Sequence, residues 1–333
     1  MLLAGCDSVP ESAGATTQAG SGTAGASSGA AGIASEPLEA DLTVSGAAPT
    51  PVGATFFGQN YWSWVPEWGD PVAGVEAQTA ELKLGLLRAG GANNDRQDPT
   101  AFSLAEIDDF LAFARQVGAE PLLQVPLLEN TAGEAATAQD AADLVTYVNV
   151  TQGFGVRYFS IGNEPDLYEE QGMMPAGYDA TTFCATFREL AAAMRAVDDT
   201  IQIVGPDLSW KYQSGANDWL TPFLQDCGDV TDIVAVHRYP LAPTACTDTA
   251  AYADSARYRT VLTHLREILS ATGQENKPLA ITEGNITWDG DPANGTMAAS
   301  PGTVPAALWV ADNLGVSLEA GLHSVAYWSL SEG

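Results

Sequence analysis

The sequence is poor in positive charge. Its 333 residues carry 13 Lys+Arg against 42 Asp+Glu, a formal net charge of −29. Such an acidic surface repels nucleic-acid phosphates and anionic headgroups, so no nucleic-acid partner is expected and a polyanionic substrate would need a local basic patch. The same acidity keeps an exported protein soluble. Histidine is scarce: only His237, His264 and His323 occur. Without an HExxH, an HxH or a Cys/His cluster, no metal site is expected. A phosphate loop of the GxxxxGK[ST] kind is also missing. "GSGTAG" (20–25) lies in a low-complexity tract with no strand before it, so no nucleotide or other cofactor is implied. There is no run of about 18 apolar residues to suggest a membrane span.

What is present begins with "MLLAGC" (1–6), which resembles the end of a bacterial lipoprotein signal peptide, the Leu-Ala-Gly-Cys lipobox. The resemblance implies that Cys6 becomes a lipidated N-terminus, giving membrane contact only through that anchor and a place on the cell surface or the periplasmic face. The basic and most of the apolar parts of a signal peptide do not precede it, so the start of the chain reads as late. Residues 7–36 are rich in Gly, Ala, Ser and Thr and cannot bury enough to offset chain entropy. They read as a disordered tether reaching roughly 30 Å. Residues 37–53 lead into the globular part. Within them "LEADLTV" (39–45) alternates as a strand does, either capping the following domain or belonging to a β-sandwich whose other strands would follow Gly333.

From residue 54 to 333 short apolar strands alternate with amphipathic helices. Strands are predicted at 55–60, 84–89, 121–126, 156–161, 201–205, 232–237, 278–283 and 324–330. Helices are predicted near 72–82, 104–117, 136–152, 180–197, 216–226, 251–272 and 304–320. Eight strands alternating with helices fit an α/β fold of the (β/α)8 TIM-barrel type; a doubly wound sheet, the alternative, usually has fewer strands. The helix expected after the eighth strand is missing, which reads as truncation at the C-terminus. In this barrel Cys184 and Cys246 fall toward one end and Cys227 toward the other, so a Cys184–Cys246 disulfide is the expectation, with three unpaired thiols as the alternative.

Strand ends carry the chemistry of a TIM barrel. "VRYFSIGNEPDLY" (156–168) places Glu164 after the fourth strand, and "PLAITEGNITW" (278–288) places Glu283 at the end of the seventh. Two carboxylates across one mouth suit glycosidic cleavage. One, protonated, donates to the leaving oxygen; the other, ionised, attacks or activates water. "GNEP" after a fourth strand and "ITEG" at a seventh resemble the clan A glycoside hydrolases, the 4/7 superfamily. Within the clan "LLRAGG", "IGNEPDLY", "HRYP" and "ALWVADNL" are similar to family 79, with families 39, 44 and 30 as rivals. The resemblance implies a retaining enzyme with Glu164 as acid/base and Glu283 as nucleophile. It implies that Asn163 binds the sugar 2-hydroxyl, that Arg88 keeps the nucleophile ionised, and that Trp328 stacks on a sugar ring. His237 and Tyr239 lie two apart and point the same way. Tyr239 is placed to bond Glu283, and His237 to contact substrate or the acid/base.

Aromatic residues crowd the same strand ends: Trp62 in "NYWSWVPEW" (60–68), Tyr168, Trp210, Tyr212 and Trp288. Flat sugar faces stack on such rings, and hydrophobic loop closure is the other use for them. Asn60, Asn93, Asn94, Asp95, Asp207 and Asn285 are candidate hydroxyl partners, and Gly90-Gly91 would let backbone approach the cleft. Cations that could receive a glucuronide are few, namely Arg88, Lys211 and Arg238, the last facing the outer shell. This weakens the glucuronidase reading and leaves neutral β-glycans in play. The expectation is a surface-tethered retaining hydrolase cutting β-glycosidic bonds in an extracellular oligo- or polysaccharide. Its rival is a lipoprotein that binds glycans in the same cleft without cutting them.

Overall fold

A computed structural model of the chain describes residues 51–61, 74–96, 103–130, 134–213, 215–289 and 301–330. The lipobox-like start, the tether, the 39–45 strand and Trp62 lie outside these residues, as does the side chain of Asn93. Eight parallel strands, β1 (Phe57–Tyr61), β2 (Leu86–Ala89), β3 (Glu120–Val125), β4 (Tyr158–Ile161), β5 (Gln202–Leu208), β6 (Ile233–Arg238), β7 (Leu279–Gly284) and β8 (Ser324–Tyr327), close into a ring in sequence order, with β1 paired to β8. The helices between them are α1 (Glu76–Glu81), α2 (Ala92–Arg96), α3 (Leu104–Val117), α4 (Ala138–Val145), α5 (Ala180–Val197), α6 (Leu220–Cys227), α7 (Asp248–Ala271) and α8 (Val304–Glu319). This is the (β/α)8 barrel.

Local chemistry sets the ends of several elements. Ser103 and Glu106 form a capping box at the start of α3, and Gly118 ends that helix in the left-handed region (φ 78°). Thr137 with Asp140, Asp179, Thr247 and Thr303 cap α4, α5, α7 and α8. The helix predicted over 136–152 divides: α4 stops at Val145 and Thr146–Thr151 continues as a π-helical turn. There Asn149 turns its amide onto the backbone N–H and C=O of Val156, which fixes the wider turn. β5 runs past its predicted end because a bulge at Asp207 accommodates Pro206, which cannot donate to a ladder.

Alternation along the strands sorts two cores. Leu87, Leu123, Phe159, Ile203, Val234 and Ile281 join the main cluster beneath the helices. Their neighbours Leu86, Leu122, Tyr158, Val204, Ala235 and Ala280 form a separate apolar cluster that fills the ring. Two residues further along several strands that filling becomes polar: Arg88, Gln124, Ser160, His237 and Thr282 are all buried. The apolar layer is the floor of the site and the polar layer is its foundation.

The cysteines pair differently from the expectation. Cys184 bonds Cys227, with Cα atoms 5.8 Å apart, and Cys246 is buried and takes no part in that disulfide. Helix α6 has only eight residues, so its last turn reaches the level of the first turns of α5 rather than the far end of the barrel. Thr181 bonds Asp226 and Arg188 bonds Asp229 across the same seam.

Candidate active site

Glu164 and Glu283 open on one mouth. One carboxylate oxygen from each and a ring nitrogen of His237 lie within 4.8 Å of one another. Strand β4 ends at Ile161, and Gly162 (φ 73°) then turns the chain so that Glu164 sits in the left-handed region (φ 51°, ψ 51°). A non-glycine residue held there is strained, a condition that surrounding contacts must enforce. Three backbone N–H groups do so: Gly162 donates to Val125 C=O (3.0 Å), Asn163 to Asp95 Oδ2 (2.7 Å) and Glu164 to Asp207 C=O (3.0 Å). Pro165 then opens a 3-10 turn, ending the ladder. On the other side a register shift between Val236 and His237 in the β6–β7 ladder lets Thr282 and Glu283 both face the site.

Arg88 is wholly buried and joins the two halves. Its Nη1 donates to Glu283 Oε2 (2.9 Å) and Asn60 Oδ1 (2.8 Å), and its Nη2 donates to Asn163 Oδ1 (2.8 Å). Tyr239 donates its hydroxyl to the other Glu283 oxygen (2.7 Å). Burial and the neighbouring carboxylate hold the Tyr239 phenol well above its usual range, so it remains a donor. Glu283 thus has a cation and a phenol each fixed to one oxygen. Because Asn163 gives its oxygen to Arg88, its NH2 is the half left to donate, and Asn163 lines the same small cavity as Glu164.

Glu164 has the opposite environment. Burial, then the charges of Asp166 and Asp207, outweigh Arg88 and push its carboxyl up to about 8. His237 Nδ1 lies 3.0 Å from Glu164 Oε1, and burial pushes the imidazole down from its usual range. At neutral pH this is a neutral acid beside a neutral imidazole. Two carboxyls with such divergent surroundings can divide the roles of proton donor and nucleophile. Glu164, His237 and Glu283 are also donors of the kind a divalent ion accepts. The Arg88 guanidinium already occupies Glu283 Oε2, however, and His237 Nδ1 is engaged with Glu164, so the set reads as a hydrogen-bonded group and not as a metal centre.

Several residues expected to touch sugar are spent on structure. Asn60 is fully buried, its NH2 facing the carbonyls of Thr282, Ala326 and Tyr327. Asn285 donates to Trp328 C=O (2.6 Å) and accepts from Ile286 N–H, pinning the turn after β7. Asn94 donates to Gln124 C=O, and Asp95 and Asp207 are buried under backbone and side-chain donors. Arg88 and His237 are wholly enclosed; Arg88 meets Glu283, the partner expected for it, and His237 meets Glu164, one of the two partners expected for it. Tyr168 and Tyr212 are buried, the first donating to Asp95 and the second to His237 C=O. Gly90 is small for the sake of Gln124 and Arg88, not the cleft: a Cβ there would lie 2.6 Å from Gln124 Oε1 and 3.0 Å from Arg88 Cζ. Trp210 is half-buried, Trp288 is exposed, and Trp328 packs partly on the main core, its backbone N–H bonded to Gly284 C=O. Sequence reasoning missed Asp166, which accepts from the N–H groups of Ser209, Trp210 and Lys211 and ties the loop after β5 to Glu164. The Asp-Leu pair after Pro165 was its only sequence signal.

Residues 123–299, more than half of the chain, match the family described as "Glycosyl hydrolase catalytic core". The chain belongs to that family. The hydrolase is 27% identical over 185 residues to the intracellular exo-α-(1→5)-L-arabinofuranosidase of Streptomyces lividans, a match covering 52% of this chain and 26% of that protein. It thus spans about a quarter of the length of that curated relative. Among solved structures, the glycosyl hydrolase resembles CelM2, a bifunctional glucanase-xylanase from a metagenome library (TM-score 0.64, 16% identity, 84% of this chain and 74% of that one). It also resembles an α-L-arabinofuranosidase from Thermotoga maritima (TM-score 0.63, 15%, 84% and 65%). A third is a family 44 xyloglucanase from Paenibacillus polymyxa (TM-score 0.62, 15%, 85% and 73%). At these identities the likeness of the solved structures is one of fold.

Proposed function

We propose that the chain is a retaining O-glycoside hydrolase acting on neutral β-glycans by double displacement. The observation that carries this reading is the pairing of a proton-bearing Glu164 with a guanidinium-bound Glu283 within 4.8 Å. That spacing falls on the short side that goes with direct attack, well below the wide gap an inverting enzyme keeps for its attacking water. In the first step a Glu283 oxygen bonds to the anomeric carbon. The glycosidic C–O bond breaks and its electron pair takes the proton of Glu164. In the second, Glu164 as carboxylate removes a proton from water, the water oxygen bonds to the same carbon, and the ester to Glu283 breaks. Asn163 donates to the sugar 2-hydroxyl in this reading, and Trp328, Trp210 and Trp288 offer ring faces.

The preference for neutral sugar rests on the charges around the mouth. Arg88 is enclosed, Arg238 pairs with Asp254 in the outer shell, and Lys211 is held by Asp166 C=O (2.7 Å) and Glu170 (2.6 Å). None of these cations is placed to receive a uronate carboxyl, which weighs against the family 79 resemblance and for the neutral-glycan enzymes of the clan. The name of the Streptomyces relative favours a second reading, hydrolysis of α-L-arabinofuranosides by the same two glutamates. Export and lipidation at Cys6 belong to the same proposal. The Cys184–Cys227 disulfide supports them, since such bonds persist outside the reducing cytoplasm.

The test is turnover on a panel of aryl glycosides, aryl α-L-arabinofuranoside and soluble β-glucans and xylans. Glu164→Gln and Glu283→Gln should each lower kcat at least about a thousandfold with the melting temperature retained. Full turnover in either variant contradicts the assigned roles. Binding without cleavage by the wild type supports the glycan-binding rival.

A further inference from the structure

Both catalytic roles converge on one residue outside the usual inventory of acid, nucleophile and sugar contacts. Asp207 lies near the end of β5, wholly buried, just after the cis Gly205–Pro206 bond, at the bulge and with φ 53°. Its backbone C=O accepts from Glu164 N–H at 3.0 Å. Its Oδ1 accepts from the hydroxyl of Thr282, the residue before Glu283, at 2.5 Å. Its Oδ2 stands 3.6 Å from Arg88 Nη2, the guanidinium that grips Glu283 and Asn163. Oδ1 is also 3.9 Å from His237 Nε2, on the far side of the imidazole that meets Glu164. Such convergence of backbone and carboxylate, on a non-glycine residue held left-handed, is more than packing requires.

We propose that Asp207 is a positioning residue coupling the two glutamates: its backbone fixes the turn bearing Glu164, and its carboxylate anchors Arg88 and Thr282 beside Glu283. The inference rests on the glycoside-hydrolase reading of those glutamates. It goes further in giving Asp207 an electrostatic task, keeping Glu164 in its proton-bearing form.

The groups that face Glu164 fix the sign. Asp207 from β5, Asp166 from its own turn, Glu283 from β7 and Asp95 from α2 are acidic; Arg88 from β2 is the opposing cation; His237 and Tyr239 belong to β6 and the turn after it. Removing the Asp207 charge deletes a repulsion and leaves Arg88 less neutralised. Both effects make Glu164 a stronger acid, so it loses its proton at lower pH.

Asp207→Asn tests this cleanly, because asparagine tolerates the left-handed backbone and keeps both an oxygen acceptor and the side-chain shape. Asp207→Gly is the second variant, since it also suits the backbone and removes the whole carboxylate. In either, the alkaline limb of kcat/KM should move down by about one pH unit, leaving activity above that limb about tenfold lower than wild type. Loss of packing alone would scale the profile without moving the limb. The Glu164 carboxyl titration, read by 13C NMR in glutamate-labelled protein and assigned with Glu164→Gln, should shift likewise without any turnover. If the wild type cleaves nothing yet this resonance shifts in the variants, the hydrolase reading falls and the coupling stands. If limb and resonance stay at their wild-type positions in a folded variant, the role given to Asp207 is overturned, whatever the turnover.

Discussion

At the scale of the residue the site is a matter of where protons and charges are held. Glu164 gains its proton affinity from burial and from Asp166 and Asp207, while Glu283 is gripped by Arg88 and Tyr239. In the proposed role Glu164 must carry its proton to donate it, so kcat/KM should hold up to about pH 8 and fall about tenfold per unit above it. A pH–rate profile checks this, and Glu164→Gln should abolish that limb for substrates whose leaving group needs no proton. The same shift has a cost in stability. The folded carboxyl binds a proton more tightly than the unfolded one, so its contribution falls as pH rises from about 4.5 toward 8. Both glutamates, Tyr239 and the outward turn of Arg238 were legible in the sequence, because strand ends and period-two alternation determine them. The buried duties of Asn60, Asp95 and Asp207 were not. A short polar side chain at a strand end looks the same whether it faces sugar or a neighbouring backbone group, and only the closure of all eight strands into one ring decides between them.

At the scale of the element, sequence periodicity set nearly every helix and strand, and its failures have local causes. Leu104–Val117 and Ala180–Val197 begin and end where a side-chain cap and apolar spacing place them. The π-helical turn at Thr146–Thr151 depends on Asn149 reaching Val156, and α2 depends on contacts of Asn94 and Asp95 with β3 and the loop after it, none of which has a period. The polar layer also sets tolerance just past β2. Gly90→Ala should cost about 1–3 kcal/mol in unfolding free energy, because its Cβ would overlap Gln124 Oε1 at 2.6 Å. It should lower kcat as well, since Gln124 and Arg88 must shift together. Denaturant unfolding and single-turnover kinetics check both. A fully active, fully stable variant would show that the layer is looser than its contacts indicate.

At the scale of the whole molecule, the ring brings together two acidic residues, one in the turn after its fourth strand and one on its seventh. The described residues fall within one compact unit, Pro49–Gly333. Its α5–α6 seam is crossed by a disulfide closing a loop of 43 residues, which on chain-entropy grounds contributes about 4 kcal/mol. Replacing both Cys184 and Cys227 with alanine should lower the melting temperature by several degrees and leave the pH–rate profile in place. An unchanged melting temperature would mean that the bond adds nothing. The central claim concerns the two carboxyls, and its most direct test is mass spectrometry after exposure to an activated 2-deoxy-2-fluoro glycoside of a sugar the enzyme turns over. The account predicts one fluoroglycosyl group per chain, located by peptide mapping on Glu283 and absent from Glu283→Gln. An adduct on any other carboxylate, or continued turnover with none formed, would contradict it.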